Sequence, residues 1–106
     1  MKPDQRLSPR KPLRTRGMLA PEGLAPLPIQ LFDIAPGGVG FLSPQQLPPG
    51  HRCSINFSFM LNGQKNEVSA AARVAYCVCG ADGFKVGLQF TDINEAGAAA
   101  IAKLIG

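Results

Sequence analysis

Between Arg52 and Phe90 the chain alternates apolar and polar residues in three successive runs separated by turn signals. This period of two constrains the fold more than any other feature. Side chains alternate between faces only on an extended strand, so each run buries one face and leaves the other wet. In the first run the apolar positions are Cys53, Ile55, Phe57, Phe59 and Leu61, which predicts a strand over 52–61. Asn62-Gly63 follows, a pair suited to the positive φ angles of a tight hairpin. Val68, Ala70, Ala72, Val74, Tyr76 and Val78 then predict a return strand over 66–79, with Cys77 and Cys79 on the face opposite Tyr76 and Val78. After the turn Gly80-Ala81-Asp82-Gly83, the residues Phe84, Val86, Leu88 and Phe90 predict a third strand over 84–91.

A three-stranded meander leaves two edges and an uncovered apolar face, so it needs partners. Shorter extended segments upstream supply them: Leu13–Ala20, Ile29–Ile34 and Val39–Leu42. All ten prolines fall between Pro3 and Pro49, which makes the first half rich in loops and strand entries. The tail changes period. Ile93, Ala96, Ala100, Ile101 and Leu104 recur at helical spacing, with Asp92 or Asn94 as a cap and Gly106 past the end. Gly97 inside that helix is unfavourable by about 1 kcal/mol against alanine. Six strands and one helix predict an all-β domain, a small antiparallel barrel or sandwich with the helix over one opening.

Charge divides the chain differently. Residues 1–16 carry six basic side chains against Asp4, whereas the remainder carries five basic and six acidic ones. The expected organisation is a basic arm over 1–12 and a single near-neutral domain over 13–106. Such an arm fits either an anionic partner or a solvated tail. No stretch approaches the roughly 18 apolar residues of a membrane span, and no apolar segment follows the basic N-terminus as in a secretory signal. The expectation is a cytoplasmic protein that does not insert into membranes.

Catalytic chemistry is not legible. His51 stands alone in a turn, with no second histidine and no nucleophile-elbow serine. Cys53, Cys77 and Cys79 lack further ligands at metal spacing and read as reduced thiols. The expectation is a non-enzyme without metal or cofactor. Two other features remain. The arm holds Arg6, Arg10 and Arg14 in two overlapping R-x-x-x-R frames. Guanidinium groups bind phosphates bidentately and stack on bases, although this spacing is common in any basic tail. The second feature is Asp33-Ile34-Ala35-Pro36-Gly37-Gly38, a strand end turning through adjacent glycines. Gly37 and Gly38 permit positive φ and a close approach by a ligand. Asp33 there fits a guanine edge or an arginine, or simply the cap of a tight turn.

Together these features resemble the PilZ family of cyclic di-GMP receptors. Its members carry R-x-x-x-R in an N-terminal arm and D/N-x-S-x-x-G beyond it, followed by an antiparallel meander and a terminal helix. The matching residues are Arg6 and Arg10, then Asp33-x-Ala35-x-x-Gly38. Leu47-Pro48-Pro49-Gly50, Ala71-Ala72-Arg73-Val74, Val86-Gly87-Leu88-Gln89-Phe90 and Ile101-Ala102-Lys103-Leu104-Ile105 also look like the family. The resemblance implies a six-stranded antiparallel β-barrel with a C-terminal helix. It further implies a cyclic di-GMP site made by Arg6, Arg10, Asp33, Ala35 and Gly38, with Arg14 as a secondary contact. Ala35 replaces the motif serine and removes its hydroxyl.

Three functions follow as expectations. The first is a cyclic di-GMP receptor that relays messenger level to a protein partner in motility, pilus or biofilm control. The second is a degenerate PilZ domain that binds protein alone, which the loss of the motif serine favours. The third is a small basic nucleic-acid barrel. It is disfavoured because Phe57, Phe59, Phe84 and Phe90 occupy apolar strand positions and not an aromatic binding face, so no DNA or RNA partner is expected.

Overall fold

The computed structural model describes residues 10–106. Arg6 therefore lies outside the described residues. The strands are β1 (Lys11–Pro21), β2 (Leu27–Ala35), β3 (Gly38–Ser43), β4 (Arg52–Leu61), β5 (Gln64–Gly80) and β6 (Gly83–Ile93), and α1 (Glu95–Ile105) follows them. All neighbouring strands are antiparallel. Pairing of β1 with β4 closes the sheet into a barrel in the order β1-β2-β3-β6-β5-β4. The observed fold is the predicted six-stranded barrel with its terminal helix, and closure pairs the flanks of the meander except at the far end of β5, which outruns β4.

The β4–β5 hairpin forms as its alternation dictates. Its ladder runs without a shift from Arg52↔Arg73 to Leu61↔Gln64. Asn62 and Gly63 both take left-handed backbone angles, φ 53° and 77°, which match the twist of a two-residue hairpin. Cys53, Ile55, Phe57 and Phe59 turn inward to meet Leu19, Leu31, Phe41, Val68 and Val86 in one buried cluster. Burial pushes the Cys53 thiol pKa up.

Apolar side chains from outside the sheet complete the core. Leu47, from the loop between β3 and β4, is fully buried. Ser43 holds that loop: its hydroxyl donates to the Gln45 carbonyl at 2.7 Å and accepts the Gln45 N–H at 3.1 Å. Ala100 and Ile101 of α1 are likewise buried. Asn94 stands at the helix N-cap but does not cap with its side chain; its Oδ1 accepts the Ser69 N–H at 3.1 Å and ties α1 to β5. A Cβ at Gly97 would press on that same oxygen and lie 3.2 Å from Val68. The glycine in mid-helix is thus required by close packing. Ile93 closes β6, paired with Ala70, instead of opening the helix.

Three expectations need correction. The β5 alternation does not continue through Tyr76 and Val78. The ladder shifts between Val74 and Tyr76, so Ala75 is an extra residue. Beyond it the phase inverts: Tyr76 and Val78 become exposed, and Cys77 packs against the core. The β2–β3 turn also differs, because neither Gly37 nor Gly38 has positive φ. Gly38 is demanded instead by contact, since a Cβ there would fall on the Leu88 carbonyl oxygen of β6. Finally, β1 begins at Lys11, ahead of the expected Leu13. No helix among the described residues is long and apolar enough to cross a membrane.

Candidate functional site

Asp33 reaches the barrel surface because β2 breaks its own alternation. Ile29 and Leu31 point inward, and regular pleating would send Asp33 after them. The β2–β3 ladder shifts between Leu31 and Asp33, making Phe32 the extra residue. Phe32 and Asp33 are both half-buried, and Ile34 returns to the core with no exposed surface. A carboxylate is thereby spared burial among apolar side chains, which would be far more costly.

Arg10 occupies this carboxylate. Its Nε donates to Asp33 Oδ2 at 3.2 Å and its terminal nitrogen to Oδ1 at 2.9 Å, a two-pronged pair. The hydrogen bond with Asp33 raises the Arg10 pKa; the negative fields of Asp33 and Tyr76 add to it against partial desolvation. The arm is therefore anchored at Arg10 onto a turn 23 residues away. The pair is largely exposed, so it positions the arm more than it stabilises the barrel.

From Asp33 a row of paired residues crosses the outer face of three further strands: Asp33↔Gly40, Gly40↔Gly87 and Gly87↔Tyr76. Both glycines are occupied by neighbours. A Cβ at Gly40 would sit 2.6 Å from Asp33 Oδ1 and 2.9 Å from the Phe32 ring, and one at Gly87 would enter the Tyr76 ring. The result is a low trough in which Asp33 and Phe32 cover the glycine backbone at the arginine end and the half-exposed Tyr76 ring covers it at the other. The next row along the barrel is Gly38↔Gln89↔Arg73↔Arg52. Arg73 and Arg52 are exposed and directly opposed, a like-charge pair that is unfavourable in a bare sheet. Among the described residues neither makes a salt bridge. A phosphate placed over them would relieve that repulsion.

The structure thus brings Arg10, Asp33, Ala35 and Gly38 to one end of the barrel wall. Ala35 follows inward-pointing Ile34 and is only 3% exposed, yet it lies outside the core cluster. Arg14 is exposed on β1, and the structure gives it no contact with Asp33. Sequence reasoning missed Phe32, Gly40, Gly87, Tyr76 and the Arg52–Arg73 pair. The available signal was a break of phase, two strong apolar residues three apart at Leu31 and Ile34. A separate groove of roughly 400 Å³ lies between Arg16, Met18, Asn56 and Ser69, and it gathers none of the expected site residues.

Solved structures share this architecture. The Bacillus subtilis inhibitor of motility, MotI/DgrA, matches 99% of the chain at 13% identity with a TM-score of 0.85. The chain spans 51% of that protein's length. The PilZ domain of YcgR from Escherichia coli, solved with c-di-GMP, matches 96% of the chain and 89% of its own length, at 16% identity and a TM-score of 0.68. The PilZ domain of CeSA from a cellulose-synthesizing bacterium matches 91% of the chain and 93% of its own length, at 18% identity and a TM-score of 0.60. At these identities the likeness establishes the fold. No curated protein matches the sequence. The PilZ domain profile matches residues 4–106, and with the barrel, the arm anchored at Arg10 and the Asp33 turn in place, the chain belongs to the PilZ domain family.

Proposed function

We propose that this chain is a cyclic di-GMP receptor whose ligand lies across the trough between the arm and Tyr76. The observation that carries this reading is the two-pronged Arg10–Asp33 contact, which seats the arm against the D/N-x-S-x-x-G turn. Arg10 and Arg6 would hold phosphates and stack on guanine, and Arg73 and Arg52 would offer further positive charge. Gly40 and Gly87 let Asp33, Phe32 and the Tyr76 ring lie close against the sheet, so a flat ligand would stack on the outward side of that ring. Asp33 orients Arg10 and, through any lone pair left over, accepts from a guanine edge. The YcgR domain solved with c-di-GMP supports the same ligand class for this fold. The output would be a changed surface offered to a protein partner, in motility, pilus or biofilm control.

Calorimetric titration of the purified chain with cyclic di-GMP tests this. The expected result is saturable heat that weakens as salt is raised, because phosphate contacts carry part of the binding. A second reading has one observation in its favour: both Asp33 oxygens are already engaged by Arg10, and Ala35 supplies no hydroxyl. In that case the domain binds an acidic protein partner alone. No heat at high-micromolar ligand selects it.

A further inference from the structure

We propose that the chain self-associates through the open edge of β5, pairing Tyr76–Gly80 antiparallel with the same segment of a second copy. This proposal goes beyond nucleotide recognition and does not depend on it.

The barrel is closed, but β5 is longer than its neighbour on one side. Its ladder with β4 stops at Arg73↔Arg52. The loop before β4 covers one more residue, with Gly50 N–H donating to the Val74 carbonyl at 2.7 Å and Val74 N–H donating to the His51 carbonyl at 2.9 Å. Beyond Val74, among the described residues, β5 has backbone hydrogen bonds only to β6. The β5–β6 turn fixes which groups are left over. Gly80↔Gly83 closes a two-residue turn and must be a mutually bonded pair, so Val78↔Lys85 and Tyr76↔Gly87 are bonded in the same way. Cys77 and Cys79 fall on the alternate pairs, and their N–H and C=O groups point to the open side.

Past the Ala75 bulge, no side chain guards that edge. Residues Ala75–Gly80 contain no charge and no proline, the usual devices against edge pairing. The Ala75 bulge and the loop contact at Val74 bound the free stretch at one end, and the turn at Ala81-Asp82 bounds it at the other. The open window is therefore 76–80, with Val78 at its centre. A two-fold axis at Val78 uses all of it and satisfies the parity of its bonding groups. Cys77 meets the second copy's Cys79, each with N–H and C=O aimed at the other, giving about four hydrogen bonds. On the outer face Val78 meets its counterpart, and Tyr76, its ring resting over Gly87 of its own β6, stands opposite Gly80 of the other copy, where no side chain obstructs the approach. Tyr76 and Val78, 44% and 54% exposed, form a continuous apolar stripe across the new sheet. Registers centred elsewhere run one copy past the turn or into the bulge, so a second copy fits the window better than an arbitrary strand does.

Sedimentation equilibrium of the wild type and of Val78→Lys tests the proposal. The wild type is expected to show a concentration-dependent dimer. Val78→Lys, which sets like charges face to face, is expected to remain monomeric with an unchanged melting temperature. A wild type that stays monomeric up to about 1 mM overturns the proposal, since weaker pairing than that has no specificity to speak of. A dimer unaffected by Val78→Lys overturns it too. Diamide, accepting two hydrogens per disulfide formed, gives an independent readout. Cys77 and the second copy's Cys79 would stand about 5.5 Å apart between Cα atoms, within disulfide reach. Neighbouring Cys77 and Cys79 of one strand present parallel Cβ vectors about 6.7 Å apart, which is not. The expected product is a cross-linked dimer joined Cys77 to Cys79 and lost in Cys79→Ser. A dimer joined only Cys79 to Cys79 overturns the register.

Discussion

The β4–β5 hairpin and the wall formed by β2, β3, β6 and the far end of β5 are built from the same kinds of residue, yet they behave differently. The hairpin pairs without interruption from Arg52↔Arg73 to Leu61↔Gln64. The wall carries a shift in the β2–β3 ladder at Phe32 and two in the β5–β6 ladder, at Ala75 and at Thr91. In the hairpin the apolar residues of the inward phase, Cys53, Ile55, Phe57, Phe59, Val68, Ala70 and Ala72, all serve the core. At the Phe32 and Ala75 breaks a side chain that alternation would have buried is turned out, Asp33 in one case and Tyr76 in the other. Those two residues end the row that the proposed ligand would cover. The lesson is that regular pleating builds the barrel and its interruptions build the site.

That contrast makes the largest expected effect one of stability alone. Phe57→Ala, in the regular hairpin, should destabilise the barrel by about 3–5 kcal/mol in urea unfolding. A loss below about 1 kcal/mol would mean that this inner face is not core. Arg10→Ala should show the opposite signature. Its pair with Asp33 is exposed, so stability should change by less than about 1 kcal/mol. Cyclic di-GMP affinity should fall by roughly 1.5–3 kcal/mol, about tenfold to a hundredfold or more by calorimetry. Arg6→Ala should follow it and Arg14→Ala should be milder. If Arg14→Ala abolishes binding while Arg6→Ala binds normally, the arginine frame lies one step along the arm.

A smaller effect is expected at the second break. Tyr76→Ala should weaken ligand binding by about 1 kcal/mol, the lower end of base stacking, and Tyr76→Phe should retain it. Equal loss in both variants would assign the phenol hydroxyl, not the ring. Smallest of all is Ala35→Ser. Its hydroxyl would stand on the Asp33 side of the wall, where one neutral hydrogen bond is worth roughly 0.5–1.5 kcal/mol. Affinity should rise about twofold to tenfold. Unchanged affinity, measured in the same titration, would show that the hydroxyl bonds within the turn.

Much of this protein is determined locally. The bounds of β4, the Asn62-Gly63 turn, the β5–β6 hairpin and the terminal helix follow from period, turn chemistry and helix spacing. These depend on residues near one another in the chain. The order of arginines, aspartate and glycine also carried the family resemblance without coordinates. What the tertiary structure alone decided is the phase of the pleat at Phe32 and Ala75. A bulge is set by the neighbouring strand's register, and that register depends on barrel closure and core packing across the whole molecule. The same applies to Gly38 and Gly87, which are glycine because a carbonyl and an aromatic ring from other strands occupy the space of a Cβ, and to Gly97, where Val68 of β5 and the Asn94 amide tied to β5 press on the helix. Local pattern says that a strand exists; only the closed barrel says which of its faces a given residue will reach.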